Sequence, residues 1–388
     1  MTTRTVVSML IVLIAPRAYS APCPTWPSTS SVNATQFGAK GDGVRDDTAS
    51  IQAAIDAVPQ GGTLYIPPGT YLMAVGQSPK DGVKLKSNMT LWMDAKAVLK
   101  AIPTKDSSFA MMKAWSVSRL RVFGGTLLGE RDTHIGTTGE WGMNLDLRDS
   151  NSVEVVGLTS KNAWGDGIYV GGKSNSNVSF CGIVADGNRR NGMSIITADG
   201  LNVLSSRFTN NGGTSPQAGL DIEPNPNNVA QHIVVADSVF KDNQGPGIAL
   251  SASCMNCGAT NQNNTVRNNE IIGNLGEGIY VSFDDQTIDN NRIDNSGRAG
   301  IRLIRAINST VHGNTVSHSK QGGIQIEQST NNRIEANILA SNQQEILIRW
   351  SSKGNHLSGN SCAGHTPTIQ RDNGSVDNDF ENNSGCRW

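Results

Sequence analysis

Aromatic side chains are scarce, at 5% of 388 residues, and apolar residues of all kinds reach only 37%. That is too lean for a conventional globular core. It suits a fold of many short strands and tight turns, and 42 Gly with abundant Asn and Ser point the same way. An excess of charge is also missing: 32 Lys and Arg stand against 33 Asp and Glu, for a net charge of -1. No field is therefore present to gather nucleic acid. Gly41-Asp42-Gly43 lacks a following Gly-Lys-Ser/Thr, which excludes a phosphate-binding loop of that type. No Ser-His-Asp arrangement stands out by motif.

Long apolar runs are absent apart from the N-terminus. There Arg4, the apolar stretch Val6 to Ala15 and the small residues of Ala18-Tyr19-Ser20 read as a secretory signal cleaved before Ala21. The run is too short to span a bilayer comfortably. The expected product is secreted or periplasmic, with no membrane contact after residues 1–20 are removed. Export makes the 6 cysteines candidates for disulfides. Cys254 and Cys257 are spaced to close a small loop, and Cys362 and Cys386 to staple the C-terminal end. Cys181 reads as a buried thiol, and Cys23 has no evident partner.

What the chain does have is a repeat. Gly, a large apolar residue, any residue, then Val, Ile or Leu recurs from Gly142-Met143-Asn144-Leu145 through Gly167-Ile168-Tyr169-Val170 and Gly192-Met193-Ser194-Ile195 to Gly323-Ile324-Gln325-Ile326. Glu345-Ile346-Leu347-Ile348 closes the series. Successive glycines are 25, 25, 27, 28, 31, 22 and 23 residues apart, which suits one coil of a solenoid. A second pattern interleaves at Asn177, Asn202, Asn291, Asn314 and Asn332, each before a β-branched residue. These read as turn asparagines that stack on their equivalents in neighbouring coils. A single coil cannot bury its apolar side, whereas stacked coils bury a continuous column. A leucine-rich repeat has a similar period but needs several Leu per repeat and a helical return. The expected fold is therefore all-β, a single-stranded right-handed parallel β-helix. Asp46-Asp47-Thr48 followed by the stripe Ile51, Ala54 and Ile55 predicts an N-capped helix over Ala49 to Ala57 that covers the open end. Residues 21–388 then form one domain: cap and first coil over 21–75, coils over 76–350 and a C-terminal end over 351–388.

Phe37-Gly38-Ala39-Lys40-Gly41-Asp42-Gly43-Val44-Arg45-Asp46-Asp47-Thr48, with Tyr65-Ile66-Pro67-Pro68-Gly69-Thr70-Tyr71 after it, resembles the cap of the pectate-lyase-like superfamily. That group includes polygalacturonases, polysaccharide lyases, alginate epimerases and phage tail-spike depolymerases. The resemblance implies a β-helix that acts on polysaccharide. It does not choose the reaction. The first polygalacturonase motif has a counterpart in Trp164-Gly165-Asp166-Gly167, but the Asp-Asp and Arg-Ile-Lys motifs do not follow it in order. The epimerase Asp-Pro-His has only Asp221-Ile222-Glu223-Pro224 as a counterpart, without the His.

Strand alternation sends Tyr169 outward if Ile168 and Val170 point inward. The same register places Asn144, Ser194, Asp221, Ala249 and Tyr280 on one outer face, with Asp146 and Glu223 two residues further along. Chemistry concentrates there between Glu130 and Glu223. Asp166, Asp221, Glu223 and Arg190 are the candidate catalytic residues. Arg131, His134, Glu140, Trp141, Trp164, Tyr169 and Arg189 are the candidate sugar contacts. Asp166, Arg190 and Glu140 precede their strands and are expected to meet across coils. Carboxylates at such separations serve as acid and base around a glycosidic bond, and aromatic faces stack on pyranose rings. Later coils look plain. The leading expectation is an exported glycoside hydrolase. A uronate lyase or C-5 epimerase, with Ca²⁺ as its implied cofactor in the lyase form, is the second. A non-catalytic carbohydrate-binding solenoid is the third. In each the partner is a polysaccharide, acidic in the second.

Overall fold

The computed structural model describes residues 23–76, 82–251, 257–364 and 368–387. The expected signal segment and the pairing of Cys254 with Cys257 lie outside the described residues. The described strands form three parallel sheets of 15, 13 and 12 strands, each visited once per coil. This is the right-handed parallel β-helix. Inward rows run coil to coil, as in Ile168, Met193, Leu220, Ile248, Ile279, Ile301, Ile324 and Ile346 on the 12-stranded sheet. All are fully buried. Each such side chain contributes about 1.5–3 kcal/mol.

The repeated glycines have a steric cause. From Gly167 to Gly323, each repeat glycine brings the chain against the next coil's carbonyl. A Cβ at Gly192 would sit 2.5 Å from Gly219 O, and one at Gly219 would sit 2.6 Å from Gly247 O. No larger residue fits this approach.

The asparagines divide in two. Asn291 and Asn314 belong to a buried ladder from Asn269 to Asn383, in which each Nδ2 donates to the next coil's Oδ1 at 2.9–3.0 Å. Asn332 leads a second ladder to Asn355 and Asn378. A third, unanticipated, runs Asn188, Asn211, Asn243 and Asn274. Asn177 and Asn202 instead stand exposed on the 15-stranded sheet, so the stacking expected of them does not occur. They fall within strands, where alternation turns them outward.

The capping helix spans Thr48–Ala57 and buries Thr48, Ile51, Ala54 and Ile55. Asp46, not Asp47, does the capping, since its Oδ1 accepts from Thr48 N at 3.0 Å. Asp47 holds the Gly-Asp-Gly turn by accepting from Lys40 N and Gly41 N. Cys362 pairs with Cys386 as expected. Cys181 is not a thiol: it is bonded to Cys23, 158 residues away in sequence. The partner was invisible because the N-terminal segment returns along the outside of the coils, a path no local pattern records. Among the described residues, no helix is long and apolar enough to cross a membrane.

Candidate active site

The outer face of the 12-stranded sheet carries the central row Lys113, Asp146, Tyr169, Ser194, Asp221, Ala249, Tyr280 and Arg302. Asp146 is therefore level with Tyr169 and Asp221, not two residues beyond them. Leu145, not Met143, pairs with Ile168. Asn144 consequently falls at the corner and turns inward, donating to Leu127 O, Ser160 Oγ and Lys161 O.

Asp166, Arg190 and Glu140 do converge. Arg190 Nη1 donates to both Asp166 carboxylate oxygens at 3.0 and 3.2 Å. Its Nε lies 3.9 Å from Glu140, and its Nη2 lies 3.8 Å from Glu223. Gly165 makes the junction possible, because a Cβ there would fall 2.2 Å from Glu140 O. Asp166 also accepts from Asn191 N at 3.1 Å. Asn191 Nδ2 in turn reaches Ser194 Oγ at 3.0 Å and Asp221 Oδ2 at 3.3 Å. Ser251 Oγ approaches Asp221 Oδ1 at 3.4 Å. Asn191 and Ser251 were not anticipated. The available signal for Asn191 was its place immediately before the repeat glycine, the same place Asp166 occupies one coil earlier.

The outward face is not an exposed face. Asp166 and Asp221 are 0% and 1% exposed, whereas Glu223 and Arg190 are partly open. Burial, then the nearby Glu223 carboxylate, pushes the Asp221 carboxyl up to about 8 against the pull of Arg190. Burial also raises Glu223 and Asp166, opposed in each case by Arg190. Asp221 forms part of the floor of a cleft of about 420 Å³, with Gln217, Ser251, Glu277, Tyr280 and Arg302 around it. A second hollow of about 420 Å³, over the earlier coils, is lined by Lys113, Trp115, Trp141, Asp146, Arg148 and Tyr169.

The expected sugar contacts separate. Trp141 is exposed and Tyr169 half-buried, and both line that second hollow. The side chains of Trp164 and His134 are buried and not open to the groove. Their rings stack at 3.8 Å, and the Arg189 guanidinium covers the other contact of Trp164 at 3.7 Å. The His134 side chain is fully buried and its Nδ1 lies 2.6 Å from Glu130 Oε1. Arg189 donates to Gly139 O and Trp164 O, and Arg131 to Gly187 O. Together these groups brace the 131–141 loop that carries Glu140 and Trp141.

Nor are the later coils plain. Arg302 bridges Glu277 at 3.1 Å and Glu327 at 2.7 Å, and Arg349 reaches Glu327 at 2.5 Å. No group of three or more His, Cys, Asp or Glu among the described residues is arranged to hold a metal ion. Around Arg190 the acids enclose a guanidinium.

These features define a class: a right-handed parallel β-helix of the pectate-lyase-like kind with an acid-rich groove. Residues 31–114 match the family model "Rhamnogalacturonase A/epimerase, pectate lyase-like". Residues 140–270 match "Right handed beta helix region", and residues 255–385 match "Periplasmic copper-binding protein (NosD)". Uncharacterized protein YclG of Bacillus subtilis is 28% identical over 221 residues, which is 50% of this chain and 38% of that protein. Mannuronan C5-epimerase AlgE2 of Azotobacter vinelandii is 30% identical over 261 residues, which is 56% of this chain and 25% of that protein. The chain thus spans less than two fifths of either relative. The A-module of mannuronan C-5 epimerase AlgE6 from Azotobacter vinelandii superposes with a TM-score of 0.74 at 20% identity, over 91% of this chain and 99% of the module. That likeness is one of fold.

Proposed function

We propose that this protein is an exported polysaccharide-active enzyme that hydrolyses glycosidic bonds at the Arg190 cluster. The carrying observation is a charge imbalance. Glu140, Asp166, Asp221 and Glu223 act on a single guanidinium, and Asp221 holds its proton to about pH 8. Glycoside hydrolysis passes through an oxocarbenium-like, cationic transition state, which surplus carboxylate stabilises. Proton abstraction beside a sugar carboxylate builds negative charge, which the same surplus opposes.

In this reading Asp221 donates its proton to the departing glycosidic oxygen. Glu223 accepts a proton from the water that attacks the anomeric carbon. Of these two neighbouring carboxyls, the one that holds its proton to about pH 8 takes the acid role and leaves the base role to the other. Arg190 opposes the burial that raises the Glu223 carboxyl, and Asp166, sealed beside it, fixes Arg190 in place. Trp141 and Tyr169 offer faces for sugar rings on one side of the cluster. The disulfides Cys23–Cys181 and Cys362–Cys386 support an oxidising compartment.

Uronate elimination or C-5 epimerisation is the second reading, favoured by the name of the AlgE2 relative. Protonated Asp221 and Arg190 would then face the sugar carboxylate. Incubation with a panel of neutral and uronic-acid polysaccharides, with products read by mass, tests both. A gain of one water per cut is the expected result. Unsaturated products without that gain, or unchanged mass with inverted C-5, establish the second reading. Retention of polymer without any reaction establishes a binding solenoid.

A further inference from the structure

On the last coils the same sheet face changes character. Its strands Gly322–Glu327, Gln344–Arg349 and Ile369–Arg371 pair in register, so Gln325, Leu347 and Gln370 form one row and Glu327 and Arg349 another. Over them lies a hollow of about 340 Å³ lined by Gln321, Gln343, Gln344, Leu347, Arg349 and Gln370. Four of these six residues are primary amides. The acids nearby do not reach the surface: Glu327 is 0% exposed and Glu345 is 1% exposed. Arg349 is the cation that lines the hollow; it pairs with Glu327, which it shares with Arg302, and its guanidinium lies 4.6 Å over the exposed Trp350 ring.

We propose that this hollow is a second carbohydrate site, which holds a neutral, hydroxyl-rich stretch of the same polysaccharide that is cut near Asp221. The chemistry is specific. A carboxamide both donates and accepts, and so does a sugar hydroxyl, so amides set a coil apart match a run of hydroxyls. Leu347 supplies an apolar floor for the ring's C–H face. A polyanion is disfavoured because the lining offers one cation, already engaged with a carboxylate, against four amides. Continuity fixes the occupant. Leu347 stands five strands from Asp221 along one unbroken outer row, roughly 24 Å at the usual strand spacing. An extended chain of several sugar units lies across both. Long substrates therefore engage both places and short ones only the cleft.

The inference rests on the hydrolase reading, and its test separates the two. Gln343 and Gln370 are exposed, so the double variant Gln343→Ala/Gln370→Ala keeps the fold. With any polymer the wild type cuts, the variant is expected to raise KM about tenfold, as the loss of two neutral hydrogen bonds gives, with kcat unchanged. On oligosaccharides too short to span both places, KM is expected to stay the same. Equal effects on long and short substrates, or none on either, overturn the proposal. If nothing is cut, the hydrolase reading fails, and affinity electrophoresis of Asp221→Asn decides the site alone. The gels contain galactomannan, xyloglucan, arabinan, alginate or polygalacturonate. Retardation by a neutral polymer that Gln343→Ala/Gln370→Ala abolishes sustains the site. Retardation that survives the double substitution, retardation by the acidic polymers only, or none at all overturns it.

Discussion

Asp221 lies on an outer strand face yet keeps almost no contact with water, and that combination gives it its chemistry. Its proton is held to about pH 8, from burial first and the Glu223 charge second. Glu223, raised for the same first reason, must be ionised to act as base. Activity is therefore expected to follow a bell, rising as the pair first ionises and falling through about pH 8 as the acid is lost. A rate profile without an alkaline limb near that value contradicts the assignment. Asp221→Asn is expected to lower kcat by about 10²–10⁴-fold. Stability carries an independent signature. Unfolded, this carboxyl ionises near 3.8; folded, it does so near 8. Between those values the unfolded chain has fewer protons, so stability falls as pH rises and is fully present only below the lower value. Asn has no proton to lose. Thermal melts at acid and alkaline pH should show the wild type losing ground against Asp221→Asn as pH rises, and parallel curves would sink the point.

At the scale of the element, the buried amide ladders do work that apolar packing alone does not. Each Asn closes a turn, and its Nδ2 reaches the next coil and a backbone carbonyl, as Asn314 does with Asn337 Oδ1 and Ile288 O. Asn314→Ala leaves such partners unmet, at a cost of about 1–3 kcal/mol in denaturant unfolding. Asn202→Ala, on an exposed strand position, is expected to change stability by less than about 0.5 kcal/mol. Both asparagines looked alike in sequence. The repeat shows that coils exist, because Gly and apolar spacing are imposed by stacking itself. It does not show where each corner falls, because coil lengths vary from 22 to 31 residues. That is why Asn144 and Asp146 were misplaced by two positions while Ser194 and Asp221 were not. The convergence of Asp166, Arg190 and Glu140 was legible, since residues just before repeat glycines share a corner. The burial of Trp164 and His134 was not, because it depends on a loop folding back over its own coil.

For the molecule as a whole, the solenoid turns sequence order into position along one groove. Aromatic rings and cations stand over the early coils, the acids gathered on Arg190 come next, and amides stand at the far end. Stability in such an array is a sum of neighbour contacts, so local chemistry can differ sharply from coil to coil without disturbing the frame. The Cys23–Cys181 bridge ties the entering segment to the strand Ser176–Cys181, which lies in sequence between Asp166 and Arg190. The most direct test of this account is polysaccharide cleavage in water labelled with heavy oxygen, by the wild type, Asp221→Asn and Asp146→Asn. One labelled oxygen per cut is predicted for the wild type, little product for Asp221→Asn, and labelled product still formed by Asp146→Asn. Unlabelled, unsaturated ends, or full activity in Asp221→Asn, would contradict it.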